Sequence, residues 1–90
     1  MSLFKARVFV HLRPSVLDPA GEATRSATKR LGIDGVTQLR IGKSIELEIE
    51  APTKDDARMK IELMSDRILA NPVIEDWTME FKDEHKSLKN

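Results

Sequence analysis

Ile45-Glu46-Leu47-Glu48-Ile49-Glu50-Ala51 alternates apolar and acidic side chains without a break. A period of two marks a strand with one face in a core and the other in water. Gly42-Lys43 precedes it where a two-residue hairpin would close. Gly at the first central position suits a type II′ turn, so Val36 to Ile41 is expected as the paired strand. Pro52 ends the alternation, and Thr53-Lys54-Asp55-Asp56 has the form of a capping box with Asp in the usual Glu position. Ala57, Ile61, Met64 and Ile68 then step by four, three and four residues, which predicts an amphipathic helix with that stripe inward. Asn71-Pro72 stops it. Val73, Trp77, Met79 and Phe81 then share one face of a last strand against Ile74, Asp76, Thr78 and Glu80, with Glu75 a misfit on the apolar side.

Upstream, Phe4, Ala6, Val8, Val10 and Leu12 alternate with Lys5, Arg7, Phe9 and His11, a half-buried first strand. Pro14 has no N–H to donate and closes it. Asp18 is placed to cap a helix whose first position is Pro19, with Gly21 in the first turn. Ala20, Ala23, Ala27 and Leu31 recur at helical spacing, and Lys29, Arg30 and Gly32 form a cationic last turn with a Gly stop. The order is therefore strand, helix, strand, strand, helix, strand. With right-handed crossovers it predicts an α+β, ferredoxin-like sandwich: an antiparallel four-stranded sheet with both helices on one face and the other face open. Residues 1–82 are expected as a single domain and 83–90 as a polar tail.

Composition narrows the function. Ninety residues, 40% hydrophobic and 33% charged, support one core and exclude a large multi-site enzyme. Fifteen Lys+Arg balance fifteen Asp+Glu, so no long-range field favours nucleic acid or an acidic membrane. No cysteine is present for a disulfide, a thiolate metal site or a thiol nucleophile. No apolar run approaches the roughly 18 to 20 residues that cross a bilayer, and a cytoplasmic protein is expected.

Catalytic candidates are few. His11 is mid-strand and His85 is in the tail, neither beside a nucleophile and an orienting group, and no metal-ligand spacing occurs. Glu46, Glu48 and Glu50 read as a solvated or interfacial face. In the expected sheet they lie across from Lys5, Arg7 and His11, where opposite charges set register. Phe9 and Ile74 fall on the polar faces of adjacent strands, and together with these charged rows they are expected to form an oligomer interface. Arg40, Gly42 and Lys43 cluster at the expected hairpin, which requires the Gly but not two cations.

Ala6-Arg7-Val8-Phe9-Val10-His11-Leu12-Arg13-Pro14, Val16-Leu17-Asp18-Pro19-Ala20-Gly21, Leu39-Arg40-Ile41-Gly42-Lys43-Ser44-Ile45-Glu46-Leu47 and Leu69-Ala70-Asn71-Pro72-Val73-Ile74-Glu75-Asp76 together resemble the PurS family. Its members are small subunits of glutamine-dependent phosphoribosylformylglycinamidine (FGAM) synthase of purine biosynthesis. Ser15 and Trp77 depart from the family pattern, which usually has Gly and often Tyr there. The resemblance implies a non-catalytic subunit that forms dimers or tetramers, with segments exchanged in some. It would bridge a glutaminase that releases ammonia and a synthetase that uses ATP and Mg, binding no cofactor itself. Asp18, Pro19, Gly21, Asn71 and Pro72 are the matching motif residues with structural explanations. Arg40, Gly42 and Lys43 are the expected partner contacts. Rival readings on the same fold are an RNA-binding module, a small-ligand regulatory domain and an acylphosphatase-like enzyme. The first meets three glutamates and a single aromatic on the open face. The last lacks a glycine-rich cradle between Arg13 and Pro19.

Overall fold

The computed structural model describes residues 1–82; the polar stretch 83–90, with His85, lies outside the described residues. Strand β1 (Ser2–Leu12) is followed by α1 (Pro19–Arg30), β2 (Lys43–Ala51), α2 (Lys54–Met64) and β3 (Glu75–Phe81), and a π-helical turn, Ser65–Leu69, extends α2. The described strands form one antiparallel sheet in the order β2-β1-β3. The long N-terminal strand is its centre. Ala6 pairs with Leu47 on one side and Phe81 on the other, and Val8 with Ile45 and Met79, so the apolar sets of all three strands share one face.

Among the described residues the sheet has three strands where four were expected. Residues 36–41 join no ladder, and Gly42 does not have the positive φ that a type II′ turn requires at that position. The cause lies elsewhere in the chain. The Ile41 N–H donates to Asp18 Oδ2 at 2.9 Å, and Arg40 Nη2 donates to the carbonyls of Arg13 and Val16 at 2.8 and 3.0 Å. Tied in this way to the entry of α1, the segment passes directly into β2 without reversing. Gly42 serves close approach: a Cβ there would stand 2.6 Å from the Val10 carbonyl oxygen.

Of the two described α-helices, α2 is the one that packs on the sheet. Thr53 caps it, Oγ1 accepting from the Asp56 N–H at 3.1 Å. Ala57 and Ile61 are fully buried against Ala6, Val8, Val10, Ala51 and Phe81. Phe81 meets Phe4 edge-on at 6.1 Å between centroids, and the cations of Lys54 and Arg58 stand 4.9 and 5.0 Å from its ring centre. The π-helical turn then changes the helix phase. Ser65 and Ala70 take the inner positions, Met64 is half-buried, and Ile68, expected inside, is 73% exposed. Ser65 is tolerated there because its hydroxyl donates to the Ile61 carbonyl at 2.8 Å.

Helix α1 forms as read, with Asp18 as cap and Pro19 first, and Gly32 beyond its end at φ +81°. It does not cover the sheet beside α2 as expected. Alanine methyls bury too little surface to hold a helix there: Ala20 and Ala23 are exposed and Leu31 is 77% exposed. With α1 standing off, the radius of gyration is 16.7 Å, against about 12 Å for a compact domain of this length.

Candidate functional site

The face of the sheet away from α2 carries the charged rows. Lys5 stands opposite Glu48 with Nζ 3.9 Å from the carboxylate, and Arg7 stands opposite Glu46 at 3.0 Å. Arg7 also reaches Glu80 at 3.8 Å, and Lys82 reaches Glu46 at 3.7 Å. The Arg7 hydrogen bond, with the charges of Lys82 and Arg7, holds the Glu46 carboxyl below the usual range. His11 faces Asp76 of β3 rather than the glutamates, and Glu50 faces Leu3. Phe9 lies half-buried between Ser44 and Thr78. Ile74 precedes β3 in a turn, its carbonyl accepting from Arg13 N–H at 2.9 Å. Phe9 and Ile74 are thus four β1 positions apart, about 13 Å, and form no common patch.

A second cluster closes the excursion between β1 and β2. Asp18 is 5% exposed, its Oδ1 accepting from the Gly21 N–H at 3.0 Å and its Oδ2 from the Ile41 N–H. A Cβ on Gly21 would collide with the Leu39 carbonyl oxygen and with Asp18 itself. Asp18, Gly21 and Arg40 therefore act as one clasp. The reading from sequence found these residues but not their relation, because Arg40 and Asp18 are distant in the chain. The Lys43 side chain, by contrast, has no hydrogen-bond or ion-pair partner among the described residues, and it borders an open depression of about 200 Å³ with Val10, His11, Ile41, Gly42 and Glu75.

At the far end of β3, Asn71 and Pro72 set the turn. Asn71 Oδ1 accepts from the Val73 N–H at 3.0 Å, and the Asn71 N–H donates to Glu75 Oε1 at 2.7 Å, which explains the misfit Glu75. A depression of about 310 Å³ opens beside it. Its polar groups are occupied by one another: Trp77 Nε1 donates to Asp66 at 2.7 Å, and Arg13 donates to Asp76 at 3.2 Å and to the Pro72 carbonyl at 2.7 Å. None of these pairs sets a base against a hydroxyl nucleophile. Among the described residues no group of three or more His, Cys, Asp or Glu could hold a metal ion, and no helix is long and apolar enough to cross a membrane.

Paired charges on an open sheet, outer strand edges unpaired among the described residues and a helix held off the body define a protein that works by contact with other chains. A family model described as PurS, phosphoribosylformylglycinamidine (FGAM) synthase, matches residues 5–83. The chain is 52% identical over 77 residues to the phosphoribosylformylglycinamidine synthase subunit PurS of Synechocystis sp., covering 86% of this chain and 77% of that protein. It is 38% identical over 81 residues to the same subunit of Bacillus subtilis, 90% and 95% of the two chains. A chain in the structure of PurLQS from Thermotoga maritima superposes with a TM-score of 0.81 at 36% identity, over 90% of this chain and 99% of that one. Bacillus subtilis PurS gives 0.78 at 39% identity, over 88% and 98%. The chain belongs to the PurS family and is thereby a subunit of FGAM synthase of purine biosynthesis. Neither the RNA-binding nor the small-ligand regulatory reading has support in these likenesses.

Proposed function

We propose that this chain couples the glutaminase and the ATP-dependent synthetase of FGAM synthase, self-associating and bridging the two so that ammonia passes between them without meeting bulk water. Ammonia at neutral pH becomes ammonium and loses its nucleophilicity, so exclusion of water preserves the reactive species. The chain itself binds no nucleotide or metal in this role; ATP and Mg belong to the synthetase, and the complex works in the cytoplasm. The observation that carries the reading is the excursion between β1 and β2, where Leu17, Leu31, Ile33 and Ile41 are all exposed on a segment that no strand covers. Such a segment is stabilised by a neighbour. In the assembled state Val36 to Ile41 would supply the fourth strand of the ferredoxin-like sheet along the edge of β2 that is unpaired among the described residues.

Lys43 is the cation best placed to meet a partner, since Arg40 is engaged within the chain. The test mixes the chain with its matching glutaminase and synthetase and follows amide transfer from glutamine, with ammonium as a control donor. Glutamine-driven turnover that needs the chain, with ammonium-driven turnover that does not, supports coupling. Equal turnover without the chain overturns it. Lys43→Glu is expected to weaken complex formation; an intact complex removes Lys43 from the contact.

A further inference from the structure

We propose that the C-terminal tip of α1, formed by Lys29, Arg30, Leu31 and Ile33, is the contact surface for a protein partner whose own surface is acidic around an apolar recess. This contact rests on the coupling role proposed above and places it on named residues. The tip is a built structure. The Gly32 N–H donates to the Lys29 carbonyl at 3.0 Å and the Ile33 N–H to the Thr28 carbonyl at 3.0 Å, the paired bonds of a Schellman reversal, with Gly32 at φ +81°. Its shape is therefore fixed before a partner arrives, and less freedom is lost on contact. The other end of α1 is clasped to the body through Asp18, so the tip stands about 18 Å along the helix axis from the clasp.

Cations in a last turn complement the helix dipole, which accounts for the position of Lys29 and Arg30. It does not account for Leu31, 77% exposed, or Ile33, 48% exposed, beside them. Within α1, Arg25 is paired with Glu22 at 3.1 Å, whereas the side chains of Lys29 and Arg30 have no ion-pair or hydrogen-bond partner among the described residues. Charge is also unevenly shared along the chain. Residues 13–42 carry five Lys and Arg against three Asp and Glu, and the rest of the described chain carries eight against ten. The excursion is a basic arm on an acidic body. An excess of two charges is too small to hold nucleic acid through its phosphates. An apolar centre with a charged rim is instead the make-up of a protein contact, where the rim supplies attraction and orientation and the centre excludes water. In a second copy of the chain, Glu46 and Glu48 are already matched by Arg7 and Lys5, so a separate protein supplies the acidic surface.

The test titrates the full chain into fixed amounts of its matching synthetase and glutaminase and reads the concentration that half-saturates glutamine-driven turnover. Lys29→Glu and Leu31→Ser are each expected to raise that concentration roughly tenfold. Added salt is expected to raise it more for the wild type than for Lys29→Glu, because the rim attraction is screened. Lys60→Glu reverses an exposed cation on α2 and is expected to leave it unchanged. An equal rise for Lys60→Glu overturns the contact at the tip. A change in the sedimentation of Lys29→Glu chains without the enzymes assigns the tip to a second copy and overturns the separate partner. Turnover from glutamine that does not depend on the wild-type chain overturns the coupling role itself. Turnover that depends on the wild type, with half-saturation unchanged in both tip variants, overturns the tip contact alone.

Discussion

The Asp18 carboxylate holds the N–H groups of Gly21 and Ile41, so one side chain both caps α1 and closes the excursion that leads into β2. Those two backbone donors, Ile41 first, together with the Arg40 charge, outweigh partial burial and keep its carboxyl below the ordinary range. A lowered value means that the folded state holds the charge more tightly than the unfolded chain. The stability it contributes is full above the unfolded carboxylate range, about pH 4, and is lost as pH falls through the lower folded value. Thermal unfolding followed from neutral to acid pH should show a shallower acid loss for Asp18→Asn than for the wild type; equal losses would remove Asp18 from the clasp. Gly21→Ala should cost roughly 1 to 3 kcal/mol in urea unfolding, because the added methyl meets the Leu39 carbonyl. Gly32→Ala meets nothing within 4 Å and should cost only the strain of its positive φ, about 1 kcal/mol.

At the scale of elements, the π-helical turn decides which side of the second helix is inside. Ile61→Ala should lose about 2 to 5 kcal/mol, since Ile61 is fully buried, whereas Ile68→Ser should stay within about 0.5 kcal/mol in the isolated chain. Urea titration of both variants separates the two. Ile68 was misplaced by the sequence reading because its spacing from Ile61 suits an uninterrupted α-helix; the extra residue that a π turn inserts leaves no local mark. The three ladder strands and both caps were legible, because alternation and capping are local; the row of Lys5, Arg7 and His11 against the glutamates was read without its register, and His11 and Glu50 fall outside it. Val36 to Ile41 has the pattern of a strand whether or not it pairs. Its fate depends on Asp18 and Arg40, and no periodicity reveals that tie. The cations at the expected hairpin were noticed for their oddity; Arg40 bonds two carbonyls within the chain, and the Lys43 side chain has no such partner among the described residues.

Across the whole molecule, Arg7 is the hub of the open face, reaching Glu46 on one side and Glu80 on the other. Arg7→Met should lower the unfolding midpoint by leaving two carboxylates near each other without their shared cation. The difference from wild type should shrink in about 1 M salt, where screening acts within a few ångströms; a salt-independent loss would assign the effect to packing instead. β1 has a further consequence, in time rather than in space. It is the centre of the sheet, and on one of its sides it pairs Ala6 with Phe81, across almost the whole described chain. The sheet is therefore complete only when segments far apart along the chain have met. Such distant pairings slow the search, and the apolar face of β1 stays partly uncovered until β3 has docked.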